Sequence, residues 1–184
     1  MKSILVFLIV FCFAASSCKI PSVISKRQIT AGGITYTNDG EHNGRLADNY
    51  YIIKNINNKL EGTEAFPGKS GHYYNIDASA LQIDKNHLNK LIAKEFSQKR
   101  LNELLSENSF TIHMYMSEYG KVLEMFFSVK SNTKITANEL SNIEKSIKSN
   151  FSVDFRDRKS FEGINYFTIY FISEFSDLLK IKQQ

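Results

Sequence analysis

Two cysteines, Cys12 and Cys18, are the residues of this sequence best suited to covalent chemistry. Cys12 lies in an apolar run from Ile4 to Phe13, which follows Lys2 and is followed by small residues up to Cys18. A positive start, a short apolar core and small residues before a cleavage site are typical of a secretory signal peptide. The run is shorter than the about 20 residues that cross a bilayer, so we expect residues 1–17 to be a cleaved signal.

The chemistry expected of Cys18 is acylation. Residues Ala15 to Cys18, with the sequence ASSC, resemble a bacterial lipobox, in which the cysteine sulfur carries lipid. Because Cys12 leaves with the signal, Cys18 would otherwise be a lone thiol in an oxidising compartment. We therefore predict a lipid anchor at Cys18 in preference to free secretion, which the same residues also permit. No acidic run follows Cys18, so we expect the membrane-anchored protein to face the periplasm.

No other set of residues has the spacing of a catalytic or metal site. The sequence contains no GxSxG motif for a nucleophilic serine, and the spacing of its histidines does not match a helical metal site. Residues 62–70, GTEAFPGKS, are similar to a phosphate-binding loop. Their glycines are one residue too far apart, and no helical pattern follows. We predict a protein that is not an enzyme, with no catalytic residue, metal, cofactor or nucleotide.

Charge and length restrict the class further. The net charge of +4 is mild, and its basic residues form only short clusters. This distribution argues against a nucleic-acid partner. The length suits one domain with a core of its own. We expect a tether over residues 18–31 and a single α+β domain over residues 32–184.

The elements of the N-terminal half follow from local pattern. Short strands separated by turn residues are predicted at Ile34–Tyr36, Tyr50–Ile53 and His72–Ile76, with turns at Asn38–Gly40 and Asn57–Asn58. Residues 84–105 have helical periodicity. Ser97 could cap the start of a second helix within them, so the pattern allows one helix or two.

The clearest pattern lies between residues 110 and 172. Alternating apolar residues on either side of Glu118-Tyr119-Gly120 predict a hairpin of strands 110–117 and 121–130. The returning strand is expected to bury one set of side chains: Leu123, Met125, Phe127 and Val129. Thr136 to Glu139 match a capping box, and the helix that follows has an apolar stripe: Leu140, Ile143, Ile147 and Phe151.

The helix is followed by a polar stretch and then by a strand at 164–172, rich in aromatic and β-branched residues. Glu144, Lys145 and Lys148 lie off the apolar stripe of the helix and are expected to be solvated. The predicted fold is therefore α+β, a small antiparallel sheet with a helix packed on one face. Its C-terminal half has the order helix-β-β-α-β, and its N-terminal half consists of short strands.

The segments EYGKVLEMFFSV, TANELSNIEKSIKSNF and NYFTIYF resemble the C-terminal domain of TonB, the periplasmic energy transducer. The chain also resembles a family of uncharacterised small exported lipoproteins of Bacteroidetes, a resemblance that implies that they use the same structural unit. The resemblance covers about residues 110–172. A transducer has an uncleaved membrane helix and a long proline-rich spacer, whereas this chain contains only Pro21 and Pro67. The resemblance therefore implies the module without the transducer's role.

Strand directions predict where a partner would bind. Strand 164–172 should run antiparallel to strand 110–117 and pair with it, since antiparallel pairing is the commoner choice. It then lies at a sheet edge, where an extended peptide can add as a further strand. The resemblance implies the same site, because the last strand of the TonB-like domain takes such a peptide. The alternatives are that residues 49–55 cover this edge or that it forms a homodimer. The predicted binding residues are Tyr166, Phe167, Thr168, Ile169, Tyr170 and Phe171.

The second face of the predicted sheet is unusually aromatic for a surface that meets water. It carries His113, Tyr115, Phe126, Tyr166 and Tyr170. We expect the N-terminal strands to pack over this face, because they must bury their own apolar residues. The alternative is an exposed patch for a peptide, a glycan or a protein. The function expected from the sequence is a non-catalytic, periplasm-facing lipoprotein that binds protein or peptide or supports the envelope, with a small-molecule or glycan-binding module as the alternative.

Overall fold

The computed structural model describes residues 27–43, 49–65 and 78–184. The strands are β1 Gln28–Ala31, β2 Ile34–Asn43, β3 Asn49–Asn55, β4 Leu81–Gln82, β5 Ser109–Met116, β6 Val122–Lys130, β7 Asp154–Phe155 and β8 Phe167–Glu174. The helices are α1 Lys85–Lys94, α2 Gln98–Leu104, α3 Ala137–Asn150 and α4 Phe175–Lys182. The main sheet has six strands in the order β1-β2-β3-β6-β5-β8, and β4 pairs separately with β7. The predicted α+β class is confirmed.

The β5–β6 hairpin forms where the alternation predicted it, but its register contains a bulge. Between Tyr115 and Met116 the pairing slips by one residue, so that Met116 pairs with Val122 and Tyr115 with Glu124. Val122 takes the inward position, and Leu123 is 41% exposed. The prediction that Leu123 is buried is therefore wrong, because a bulge moves the residues beyond it to the other face. The remaining predicted core positions of β6, from Met125 to Val129, are confirmed.

Gly120 closes this hairpin in a conformation that favours glycine. Its φ is +72°, and a Cβ atom there would lie 2.0 Å from the carbonyl oxygen of Val153. A side chain would thus be both strained and in collision with the backbone. The same close approach lets Val153 donate its N–H to the carbonyl of Gly120 at 2.9 Å, which ties the end of the hairpin to the chain after α3.

The capping box of α3 is confirmed. The Thr136 hydroxyl accepts from the N–H of Glu139 at 3.2 Å, and the Glu139 carboxylate accepts from the N–H of Thr136 at 2.7 Å. The predicted stripe of α3 is buried, and the helix packs on β6. The prediction that Glu144 is solvated is wrong, because its side chain is only 1% exposed. Strands β1 to β3 contact the face of α3 that carries Glu144, and the apolar stripe of the helix gave no sign of this contact.

Residues 84–105 form two helices. Asp84 caps α1 by accepting from the N–H of His87 at 2.8 Å, and Ser97 caps α2 by accepting from that of Arg100 at 3.1 Å. Ser97 is thus the helix start that the sequence allowed. Helix α4, which the sequence did not predict, begins directly after β8 and packs against α1 and α2. Its residues Phe175 and Leu178 are buried in the common core.

The N-terminal strands extend the sheet instead of packing over it. Strand β3 pairs antiparallel with β6, and β2 and β1 follow outward. The predicted turn at Asn38–Gly40 is wrong, since these residues lie within β2 at a shift in its register. The turn after β3 is confirmed by the bond from the N–H of Asn58 to the carbonyl of Asn55.

The structure tests the predicted tether, residues 18–31, only at its C-terminal end. Gln28–Ala31, the end of the predicted tether, are strand β1 of the sheet. That part of the tether prediction is corrected, because their backbone pairs with β2. The predicted signal peptide at residues 1–17, the start of the predicted tether with Cys18 and the predicted strand His72–Ile76 lie outside the described residues.

Candidate functional site

The candidate site is strand β8, which lies at one edge of the six-stranded sheet among the described residues. Strand β8 pairs antiparallel with β5 along its length, from Ser109 opposite Glu174 to Met116 opposite Phe167. The predicted neighbour and direction of this strand are confirmed. The alternative that residues 49–55 cover the edge is wrong, because β3 pairs with β2 and β6 on the opposite side of β5.

The backbone alternation along β8 can be followed from one hydrogen bond. The N–H of Phe175 donates to the carbonyl of Asn108 at 2.9 Å, across the β5 side. In an antiparallel ladder, alternate residues direct both backbone groups to the same neighbour. The residues that bond to β5 are therefore Phe167, Ile169, Phe171 and Ser173. The residues that direct N–H and C=O to the sheet edge are Thr168, Tyr170 and Ile172. Glu174 directs its N–H there, while its carbonyl, at the N-cap of α4, accepts the first hydrogen bond of the helix.

The side chains of β8 alternate between the core and the outer face of the sheet. Phe167, Ile169 and Phe171 are buried on the helical side. Tyr170 is 68% exposed and Ile172 is 64% exposed on the other side. Of the predicted binding residues, Thr168 and Tyr170 thus present both backbone and side chain at the edge. The three residues between and beside them, with inward side chains, support the strand from the core.

Tyr166 does not belong to the available edge. Its hydroxyl donates to the carbonyl of Thr63 at 2.6 Å, and its side chain is buried. Next to it, Asn165 donates its backbone N–H to the carbonyl of Ala65 at 2.7 Å. Residues 63–65 therefore occupy the start of the strand. Among residues 27–43, 49–65 and 78–184, the uncovered part of the edge begins at Thr168 and ends at Glu174.

Ile172 and Glu174 are edge residues that the sequence did not include. The predicted strand ended at residue 172, where the polar Ser173 and Glu174 interrupt the run of aromatic and β-branched residues. The acidic residues Glu174 and Asp177, followed by the apolar pair Leu178 and Leu179, were the available sign of a helix start, since acidic residues are favoured near helix N-termini.

The outer face beside β8 is aromatic, as predicted. The His113 ring stacks on Phe126 with 4.2 Å between ring centroids and meets Tyr170 edge-on at 4.8 Å. Its Nε2 lies 2.8 Å from the Ser128 hydroxyl. Burial, together with the nearby charge of Lys54, lowers the pKa of His113 to about 4. His113 is thus neutral near pH 7 and acts as a packed, hydrogen-bonded sheet residue that positions the Tyr170 ring.

The part of this aromatic face around Tyr115 and Tyr166 is covered by the segment after β3. The N–H groups of Lys59 and Leu60 donate to the Glu124 carboxylate at 2.7 and 2.9 Å. Together with the bond from Tyr166 to Thr63, this contact covers Tyr115, which is buried. The expectation that the N-terminal strands cover the aromatic face is wrong for Ile34–Tyr36 and Tyr50–Ile53, which extend the sheet, whereas His72–Ile76 lies outside the described residues. Among the described residues the covering segment is the connection after β3, and Tyr170 stays exposed.

Lys54, which the sequence did not single out, organises the other end of this face. Its Nζ lies 2.5 Å from a carboxylate oxygen of Asp39 and 2.7 Å from one of Glu61. The same ammonium lies 5.7 Å from the centroid of the Phe126 ring. Two carboxylates thus balance its charge, and its role here is to hold β2 and the covering segment on the sheet.

The described part of the chain, residues 27–43, 49–65 and 78–184, contains no group of histidine, cysteine, aspartate or glutamate side chains that could hold a metal ion. In the same residues, no helix is long and apolar enough to cross a membrane.

Comparison with known proteins gives a structural neighbour. No family model matches the sequence, and no curated protein is significantly similar to it. The crystal structure of a DUF5043 family protein from Bacteroides uniformis superposes with a TM-score of 0.64 at 18% sequence identity. The match covers 84% of this chain and 89% of that chain. At this identity the similarity establishes the fold alone, and it fits the expected likeness to proteins of Bacteroidetes.

Proposed function

We propose that this protein is a non-catalytic, exported lipoprotein that binds a protein or peptide partner by strand addition to β8. The observation that carries the proposal is the edge position of β8, with backbone groups of Thr168, Tyr170 and Ile172 directed away from β5. An extended peptide can pair with such groups, and its affinity then comes from main-chain hydrogen bonds. The resemblance of residues 110–172 to the TonB C-terminal domain supports the same mode of binding from the sequence.

The exposed side chains beside the edge favour the binding of a peptide there. Tyr170 and Ile172 are apolar or aromatic, adjacent on the same face and largely exposed. Cross-strand pairs with aromatic and β-branched residues are the contacts that stabilise a sheet. A strand added at β8 would therefore gain side-chain contacts in addition to its backbone bonds.

Replacing Thr168 by proline should weaken partner binding and leave the fold intact. Proline removes the N–H that Thr168 directs to the edge, and edge strands tolerate proline. We expect about a fivefold weaker affinity, which is the loss of one hydrogen bond of about 1 kcal/mol. The probes are peptides selected from a displayed random library against the wild-type protein, measured by fluorescence anisotropy.

Thr168→Val is the matched control, because it keeps the N–H and changes only the hydroxyl, to a methyl group of similar size. Equal binding of the selected peptides to wild type and Thr168→Pro would exclude strand addition at β8. Loss of cooperative unfolding in Thr168→Pro would show that β8 is an internal strand, and the proposal would fail with it.

The anchor predicted at Cys18 can be tested in the producing cell. Metabolic labelling with a palmitate analogue should mark the wild-type protein and leave Cys18→Ala unlabelled, because the sulfur of Cys18 is the acceptor. Cys12→Ala is the control, and it should label as wild type does, since Cys12 lies within the proposed signal peptide. Equal labelling of Cys18→Ala and wild type would rule out the anchor.

A further inference from the structure

We propose that the partner strand carries a basic side chain opposite Glu174, followed by apolar side chains opposite Ile172 and Tyr170. This inference rests on the proposed function and specifies the chemistry of its ligand. It follows from the order of side chains along the edge and from the cavity at the end of the strand.

The cavity lies at the end of β8 where α4 begins. Its volume is about 230 Å³, and its lining residues are Leu105, Asn108, Ser109, Glu174 and Ser176. Small-molecule pockets usually measure about 300–1,000 Å³, so the space suits one side chain better than a separate ligand. Glu174 and Ser109 are cross-strand partners. Glu174 lies two residues after Ile172, so its side chain is on the same outer face, and the cavity lies beside Ile172 on that face.

The chemistry of the cavity favours a cation. Glu174 supplies a carboxylate, and two serine hydroxyls and an asparagine amide supply further acceptors. Within the described residues Glu174 forms no ion pair, and the nearby Lys180 is paired with Asp177 at 2.7 Å. Leu105 is partly exposed at the same cavity and can contact the methylene stem of a lysine or arginine, whose charged end stays among polar groups.

The register of an added strand sets the spacing of its side chains. Antiparallel strands place directly opposite residues on the same face, with Cβ atoms about 4.5–5.5 Å apart. A strand antiparallel to β8 meets Glu174, Ile172, Tyr170 and Thr168 in that order along its own direction. The partner residue opposite Glu174 is therefore basic, those opposite Ile172 and Tyr170 are apolar, and the one opposite Thr168 can be of any type. At the other end, residues 63–65 already bond to Asn165 and Tyr166, so the partner strand ends near Thr168.

The test uses two acetylated, amidated, fluorescein-labelled heptapeptides, KTVTITT and ETVTITT, and fluorescence anisotropy at low salt. The lysine peptide should bind wild type about fivefold more tightly than the glutamate peptide, as expected for a partly exposed ion pair. Glu174→Gln should remove this difference, and Glu174→Lys should reverse it. The side chain of Glu174 makes no capping hydrogen bond to α4, so both variants should keep the helix, which circular dichroism checks.

The outcomes separate this inference from the proposed function. Binding of both peptides with equal affinity, weakened by Thr168→Pro, would overturn the basic preference and leave strand addition standing. Binding of neither peptide would overturn both proposals. Light scattering is recorded on the same samples, and a dimer that Thr168→Pro dissociates would show that a second copy of the chain occupies the edge, which would also overturn this inference.

Discussion

Phe127→Ala should lower the free energy of unfolding by about 3–5 kcal/mol, the usual cost of deleting a buried phenylalanine ring. Phe127 is 0% exposed. It lies between Ile53 of β3 and Ile112 of β5, its cross-strand partners, and its ring meets Tyr36 edge-on at 6.5 Å. Strands on both sides and α3 above hold their positions, so the cavity cannot close. The loss is measured by denaturant unfolding followed by circular dichroism.

Leu123→Ala is the matched control for this experiment. Leu123 lies on the same strand, at a position that simple alternation assigns to the same buried face as Phe127. The bulge places it at the surface, and we expect its loss to stay below about 1 kcal/mol. A loss below about 1 kcal/mol for Phe127→Ala, or a loss for Leu123→Ala as large as that predicted for Phe127→Ala, would contradict the register of the β5–β6 pair.

The contrast between Phe127 and Leu123 shows how far the sequence determines the C-terminal half. Alternation and the turn at Gly120 predict the hairpin because each strand has one buried and one exposed face. A bulge is a property of two paired strands, since one residue of β5 is matched by two of β6. The apolar pattern of β6 alone does not show where the pairing with β5 shifts, so Leu123, at the bulge, was the residue assigned to the wrong face.

The N-terminal half was less predictable because its local signals have more than one structural use. Asn38-Asp39-Gly40 has the composition of a turn, yet Gly40 adopts a φ of +100° inside β2, where the pairing with β3 shifts. Glycine serves both uses because its φ is unrestricted. Whether β3 pairs with β6 or packs over it depends on contacts between segments far apart in the chain, which local pattern does not show.

The candidate site was predictable to the extent that it depends on strand direction. Directions and the preference for antiparallel pairing were sufficient to place β8 beside β5 and at the edge. The ends of the site depend on other segments. Residues 63–65 contact Tyr166 through the carbonyl of Thr63, and α4, which begins after Glu174, fixes the position of that residue. Residues 63–65 gave no local sign of their contact, and the acidic start of α4 was not interpreted as a helix, so the predicted site began two residues before the edge that the described residues leave uncovered and omitted its end.

A buried polar cluster on α3 is the other feature that local pattern missed. The Glu144 carboxylate accepts from the Tyr36 hydroxyl at 2.8 Å, from the Asn55 amide at 2.9 Å and from the Lys148 ammonium at 2.7 Å. Burial, and next the Glu144 charge, raise the pKa of Tyr36, so its hydroxyl remains a donor. These bonds connect β2 and β3 to the helix from a position that helical periodicity assigned to solvent.

Glu144→Ala should therefore lower the free energy of unfolding by about 2–5 kcal/mol. The change leaves the buried Tyr36 hydroxyl and Asn55 amide without their acceptor, and each unsatisfied group costs about 1–3 kcal/mol. Lys148 is partly exposed and can be hydrated, so it adds little to the loss. Glu103→Ala is the control, because the Glu103 side chain is solvent-exposed and its pair with Arg100 at 3.0 Å should be worth no more than about 1 kcal/mol. Hydrogen exchange should further show faster opening of β1 to β3 than of the β5–β6 hairpin in Glu144→Ala. Equal losses in the two variants would mean that the cluster does not attach the N-terminal strands to α3.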